Sequence, residues 1–407
     1  MRISVVDYVD IVGEEVIVSI YKLAAKLYNR SMVHINSTYY GGGVAEMLSS
    51  LVPLLNDIGI DAGWRILKGS PDFFETTKKF HNALQGDEIN LTDHKKELYL
   101  QTNEDFSTYT HIDHDMVIIH DPQPLPLIKF YHKREPWIWR CHVDLSNPNP
   151  ILWDFLKRFI IRYEKVIVSN EQYKKQDLPV EQRIFFPVID PLSPKNRELD
   201  ESTIESHLRK FKIPSDKPIL LQISRFDKWK DPLGVLDVYE KVRQEVDCRL
   251  ILCGSMATDD PEGWQIYQEV IDRAKDYIDK NDVILITVEN HILVNVLQRV
   301  ATVVIQKSLK EGFGLTVTEA LWKEKPVVAS RVGGIPLQIT DGQTGFLLEP
   351  TDHEGFARRI VELIKNPDLG REVGKKGKEV VREKFLITRL IIDYLNLMDE
   401  MLNSRGG

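Results

Sequence analysis

Three cysteines, Cys141, Cys248 and Cys253, are all that the 407 residues contain, and no CxxC pair occurs. So small and odd a number argues against a disulfide-stapled scaffold and against a structural zinc site. Long apolar runs are also missing. No stretch approaches the roughly 18–20 residues a bilayer-spanning helix needs, so no membrane partner is expected. The opening Met1-Arg2-Ile3-Ser4-Val5-Val6-Asp7 is interrupted by charge too early for a secretory signal, and the expected compartment is the cytoplasm. An excess of positive charge is lacking too: 53 Lys and Arg stand against 61 Asp and Glu, a formal net charge of −8. That disfavours a general nucleic-acid partner, while leaving room for local basic pockets.

What is present fits a globular chain, with 43% hydrophobic and 28% charged residues. The length exceeds one ordinary core, so two domains are expected. Residues 1–30 read as an amphipathic leader, with a helical pattern from Val16 to Ala24 that packs on a domain. Met32-Val33-His34-Ile35-Asn36-Ser37 then reads as a strand, followed by Gly41-Gly42-Gly43 and a helix over residues 44–55 that Pro53 is expected to kink or end. Strand, glycines and helix in that order open a nucleotide-type βα unit. Further apolar runs lead into His120-Asp121-Pro122, Arg140-Cys141-His142-Val143-Asp144 and Ser169-Asn170, with a helix over residues 151–162 between the last two. This is α/β alternation, and ligands meet such sheets at the carboxyl ends of the strands. The polar tails therefore fall where chemistry is expected.

Prolines at 187, 191 and 194 and a charged stretch over residues 195–205 mark a boundary. The division expected is 1–195, 196–385 and a final amphipathic helix over 386–407. The second part repeats the alternation: strands at residues 218–223, 249–254, 283–287, 302–305 and 326–330. No short internal repeat is present, only two similar α/β halves. The fold class is therefore α/β, with two Rossmann-like, doubly wound domains.

The most informative stretch is Lys310-Glu311-Gly312-Phe313-Gly314-Leu315-Thr316-Val317-Thr318-Glu319. It joins a buried strand to a helix. Its glycines allow close backbone approach to a ligand, and the helix start offers free N–H groups and partial positive charge to a phosphate. Two carboxylates flank that seat and can hold hydroxyl groups. Arg225 and Lys230, at the end of another strand of the same half, supply the cations a diphosphate needs. The plainer alternatives are surface glutamates beside a turn and an exposed basic loop. Likewise a lone histidine at a strand end is more often structural, and His34 and His291 are taken so. Asp259-Asp260 looks like a metal-binding pair but lies in a polar loop and is read as solvated.

Arg225 through Lys230, then Glu311-Gly312-Phe313-Gly314 with Glu319 seven intervening residues on, resemble the signature of family 4 retaining glycosyltransferases. Val332-Gly333-Gly334-Ile335-Pro336 and Asp341-Gly342-Gln343-Thr344-Gly345-Phe346 fit the same pattern, so the likeness covers the whole second half in order. The first half matches more weakly, at the glycine loop and the two strand-end histidines. The resemblance implies a GT-B fold, two Rossmann-like domains facing a cleft, with the last helix crossing back to the first domain.

It also implies roles. Arg225 and Lys230 would grip the donor's diphosphate, Glu319 the ribose hydroxyls and Glu311 hydroxyls of the transferred sugar. Gly42, Gly43, Gly312, Phe313, Gly314, Leu315 and Thr316 would line the donor, with the base near Gly254 and Val288. His142 would stand near the reacting centre, with His120, Asp121, Arg140 and Asp144 on the acceptor side. No cofactor or protein-bound metal is required, Mg2+ at most accompanying the nucleotide.

Ser224-Arg225-Phe226-Asp227-Lys228-Trp229-Lys230-Asp231-Pro232 and Trp139-Arg140-Cys141-His142-Val143-Asp144 are similar to the trehalose-forming branch of that family. This implies reversible transfer of glucose from ADP-, UDP- or GDP-glucose to free glucose by front-face displacement, in an enzyme expected as a homodimer. The alternatives are a retaining trehalose phosphorylase using glucose 1-phosphate, a sucrose- or sucrose-phosphate-synthase-like hexosyltransferase, a GT-B epimerase and a non-catalytic sugar-nucleotide sensor. Spacing by itself supports only a transferase that uses an activated glycosyl phosphate.

Overall fold

The computed structural model describes residues 3–39, 42–132, 134–254 and 261–403. Gly41 and the Asp259-Asp260 pair lie outside them. The chain divides into two compact units, Met1–Pro187 together with Ile387–Gly407, and Val188–Leu386.

The first unit is built on a six-stranded parallel sheet. Its strands are β1 (Ser31–Asn36), β2 (Asp61–Ile66), β3 (Met116–His120), β4 (Trp137–Arg140), β5 (Lys165–Val168) and β6 (Glu181–Ile184), in the order β2-β1-β3-β4-β5-β6. The chain starts at β1, winds outward to β2, then turns back to β3 on the other side. β3, β4 and β5 are buried along their whole length, as strands covered by helices on both faces must be. β2 and β6 were not expected from the sequence. They are edge strands, half-exposed, so they carry no continuous apolar run to announce them. Phe73, Phe80, Tyr99, Trp137 and Trp139 fill the core on one side of this sheet.

One expectation is corrected here. The helix Gly43–Asp57 is not ended by Pro53, because Leu48, Leu51, Leu54 and Leu55 are buried on either side of the proline and keep the helix in place across the missing N–H. The segment read as an amphipathic leader packs on the unit, in line with that reading. Helix Glu14–Lys26 buries Ile17, Ile20 and Ala24 and packs against the final helix, Ile387–Asn403. Ser4 Oγ and Val5 N both donate to Asp57 Oδ2 at 2.8 Å and tie the start of the chain to helix Gly43–Asp57. No helix among the described residues is long and apolar enough to cross a membrane.

The second unit carries β7 (Ile219–Ile223), β8 (Arg249–Cys253), β9 (Val283–Ile286), β10 (Val303–Gln306), β11 (Val327–Ser330) and β12 (Phe346–Leu348). The order is β12-β11-β10-β7-β8-β9, all parallel. This is the doubly wound Rossmann order, and its reversal falls between β7 and β10. The expected boundary at 195 moves back to Pro187/Val188. Ile189 N donates to Phe385 O at 2.9 Å, and Lys323 Nζ donates to Asn196 Oδ1 at 2.8 Å, so residues after 187 belong to the second unit. The last helix begins at Ile387 and returns to the first unit, where it buries Leu390, Ile391, Tyr394, Leu395 and Met398.

Candidate active site

In the second unit, the loops that leave β7 and β10 meet at the switch point. The β7 loop turns at Asp227, whose Oδ1 accepts from Trp229 N at 2.9 Å and Lys230 N at 3.1 Å. That cap aims Lys230 at the β10 loop, where its Nζ donates to Glu311 Oε2 at 2.6 Å. Gln306 Nε2 and Ser308 Oγ also reach that oxygen, at 3.3 and 3.4 Å. Gln306, the last residue of β10, accepts from Thr316 Oγ1 at 2.8 Å on the following helix. Gln306 and Ser308 were not expected as site residues. A polar residue ending an apolar strand was the available signal.

Arg225 is not drawn into this cluster. It is exposed, and its Nη2 lies 3.1 Å from Asp227 Oδ2, a charge contact without hydrogen-bond geometry. Its guanidinium is therefore available to an anion at the same loop. Gly314, at φ 83, is the N-cap of helix Leu315–Trp322 and turns the chain from the Glu311 loop into that helix. The loop is held from behind by Gly333, where a Cβ would fall 1.6 Å from Glu311 O, so only glycine allows this approach. Gly334 N donates to Gly312 O at 3.0 Å. The Val332-Gly333-Gly334 run thus acts through the backbone of the Glu311 loop.

Glu319 lies apart from Lys230 and Glu311. It is 2% exposed, with Oε1 3.4 Å from Lys195 Nζ and Oε2 accepting from Gln298 Nε2 at 3.3 Å. Lys323, buried below it, donates to Gln298 Oε1 at 2.7 Å and to Glu319 O at 3.2 Å. Burial pulls the Lys323 ammonium down to about 7, against the opposing pull of Glu319. Lys195, read from the sequence as part of a boundary, is a direct neighbour of Glu319. Gly254 directly follows β8 and its N donates to Ile286 O at 2.9 Å, which brings the loops after β8 and β9 together; Val288 is exposed in the latter.

In the first unit, Gly42, at φ 82, precedes Gly43, the first residue of helix Gly43–Asp57. The strand-end residues gather at β3 and β4. Asp121 Oδ1 accepts from His142 N at 2.8 Å, and burial raises the Asp121 carboxyl to about 6. His120 Nδ1 lies 2.9 Å from His142 Nε2, and His34 Nδ1 lies 3.0 Å from His120 Nε2. His34, taken from the sequence as structural, is buried and linked through His120 to His142. His120 and Arg140, expected on the acceptor side, are both fully buried, behind the half-buried His142. Arg140 points into the unit and donates from Nη1 to Tyr394 OH at 2.8 Å. Asp144 Oδ1 accepts from Ser146 N at 2.7 Å and closes a turn after His142.

Comparison with known proteins gives the chain's family and fold. Residues 34–175 match the family described as "Trehalose synthase, N-terminal domain", and residues 203–380 match "Glycosyl transferases group 1". The chain is 46% identical to a trehalose synthase of Thermococcus litoralis, over 97% of this chain and 96% of that protein. It is 28% identical to a trehalose phosphorylase of Pleurotus pulmonarius, over 93% of this chain and 58% of that longer protein. Among solved structures, an α,α-trehalose-phosphate synthase (UDP-forming) from Burkholderia xenovorans, in complex with glucose-6-phosphate, superposes with a TM-score of 0.74 at 11% identity, covering 91% of this chain and all of that one. The chain belongs to the trehalose synthase family and is a glycosyltransferase of the two-domain GT-B fold.

Proposed function

We propose that the chain moves glucose from a nucleotide-glucose to free glucose and so forms trehalose, reversibly and with retention at the transferred carbon. The observation that carries the reading is the Lys230–Glu311 pair at the switch point of the second sheet, one residue type suited to phosphate and the other to sugar hydroxyls. The likeness to the Thermococcus protein supports the product.

In this reading the diphosphate lies between Arg225, Lys230 and the N–H groups at the start of helix Leu315–Trp322. An ammonium has three donors. Lys230 can therefore keep Glu311 and still serve a phosphate oxygen. Glu311 orients hydroxyls of the transferred glucose and forms no covalent bond with it. A covalent route would need a nucleophile and an acid about 5 Å apart, whereas Glu311 is already bound to Lys230, Gln306 and Ser308. The C1–O bond to the β-phosphate breaks while C1 bonds to the acceptor hydroxyl on the same face. The hydroxyl proton passes to the departing phosphate oxygen, and the nucleoside diphosphate leaves. The fixed cations and helix N–H groups stabilise the charge that grows on it. They also take the role of a metal, so none is required of the protein. Glu319, with Lys195 beside it, is assigned to the ribose. His142 and Asp121 are assigned to the sugar on the side of the first unit.

A phosphorylase reading is favoured by the Pleurotus likeness, since the same cations suit inorganic phosphate. The two separate in one assay. Purified protein is given glucose with nucleotide-glucose, or glucose with glucose 1-phosphate, and trehalose is measured. Trehalose from the nucleotide donor is expected; formation only from glucose 1-phosphate overturns the proposal.

A further inference from the structure

Three imidazoles form a row across three neighbouring strands of the first unit. His34 lies within β1, His120 ends β3, and His142 follows β4 by two residues. Each link is a nitrogen–nitrogen contact, 3.0 Å for His34 Nδ1 to His120 Nε2 and 2.9 Å for His120 Nδ1 to His142 Nε2. At the inner end, His34 Nε2 is buried with no hydrogen-bond partner among the described residues. At the outer end, the half-buried His142 keeps its Nδ1 outside the row.

Burial holds all three rings neutral. His34 is brought down to about 3, and His120 and His142 are held well below the usual histidine value, with Arg140 adding to the effect on each. A neutral imidazole carries one N–H, so it donates at one nitrogen and accepts at the other. The row then has only two possible directions. In one, every ring donates outward from Nδ1, and His34 Nε2 is a buried lone pair. In the other, every ring donates inward from Nε2, and His34 Nε2–H is a buried donor with nothing to bond. Orphaned buried N–H groups are the rarer and costlier of the two. The local field has the same preference. The Arg140 guanidinium, held to Tyr394 OH at 2.8 Å, bears on His34, whose ring stands nearly perpendicular to that of Tyr394 with the centroids 5.2 Å apart. A positive neighbourhood stabilises a lone pair and opposes an N–H.

We propose that the row is a tautomer lock: His34 and His120 are positioning residues that hold His142 as the Nδ1–H form, so that it offers a hydrogen-bond donor, and no base, to an oxygen of the bound sugar. Only the identity of that oxygen rests on the functional reading above; the direction of the row stands on the geometry. One consequence follows for the reaction. His142 does not take the acceptor's proton, which leaves the departing phosphate as its destination.

The test uses the full chain labelled with 15N-histidine, with ring nitrogens correlated to ring carbon-bound protons and assigned by single substitutions. Protonated Nδ1 and bare Nε2 at residues 34, 120 and 142, unchanged between pH 7 and pH 5.5, are expected. A His142 bearing its proton on Nε2, or a charged His142, overturns the proposal. His34→Phe removes the inner donor. It is expected to lose the Nδ1–H signature at His142 and to lower kcat about tenfold, the worth of one unmade buried hydrogen bond, with KM for the donor unchanged. His34→Asn keeps a donor near the place of Nδ1 and should recover both. A His34→Phe protein that keeps the signature sinks the lock. Should His34→Phe not fold, the wild-type and His34→Asn spectra decide. A protein that makes no trehalose would overturn the functional reading while leaving the spectra to judge the lock.

Discussion

The ammonium of Lys230 sits 2.6 Å from a carboxylate oxygen of Glu311, and the two side chains are only 16% and 12% exposed. A pair this sheltered is stiffer than a surface salt bridge, and it fixes where both groups point. Breaking one partner leaves the other charge partly buried without compensation.

The first prediction concerns that coupling. Glu311→Gln and Lys230→Met should each lower the rate of trehalose formation by at least about tenfold, and the double variant should lose far less than the product of the two, as groups in direct contact do. A double-mutant cycle on kcat/KM checks this. Independent, multiplicative losses would mean that the pair does not act as a unit.

The second concerns pH. Asp121 ionises at about 6 in the folded chain, against 3.8 for an ordinary aspartate. Between those values the folded state binds more protons than the unfolded one, so this group's share of stability falls as pH rises through the window. Asp121→Asn keeps the acceptor for His142 N, removes the titration and suits the left-handed backbone at φ 62. Its melting temperature relative to the parent should rise from pH 4 to pH 6.5. A constant or falling difference contradicts the assignment.

The third uses two glycines. Gly333→Ala places a methyl where Glu311 O already lies, whereas Gly342→Ala, at φ 74, meets no atom within 4 Å. The second change carries only left-handed strain, about 1–2 kcal/mol. The first should cost more in chemical denaturation and also lower kcat, because it displaces the Glu311 loop. Equal effects of the two on kcat would remove the loop-positioning role of Gly333.

The fourth tests the return of the final helix. Tyr394→Phe takes the hydroxyl from the buried Arg140, whose Nη2 already has no hydrogen-bond partner among the described residues. An unmade buried bond to a charged donor costs about 1–3 kcal/mol or more, so urea unfolding should show a loss in that range. A neutral result would show that Arg140 is satisfied by other means.

Much of this was legible in the residues themselves. The Glu311–Glu319 stretch, the β7 loop with Arg225 and Lys230, and the strand-end His142 are local patterns, each written in a few consecutive residues. What escaped was set by pairing between distant strands. Met-Val-His-Ile-Asn reads as an ordinary buried strand, and His34 acquires a role only because β1 lies beside β3, which brings His120 to it. Arg140 looks like a substrate contact in sequence, yet the last helix, more than 250 residues on, supplies the Tyr394 that turns it inward. Lys195 reads as linker because its partner Glu319 lies far along the chain. The edge strands β2 and β6 escaped because half-exposed strands need no apolar run.

The most direct measurement supplies nucleotide-linked α-glucose labelled with 13C at C1, together with unlabelled glucose, and reads the product by NMR. The account predicts trehalose with label in one ring only, at an anomeric carbon with α coupling, and release of the nucleoside diphosphate. A β-configured labelled carbon, or no product until glucose 1-phosphate replaces the nucleotide donor, would contradict it.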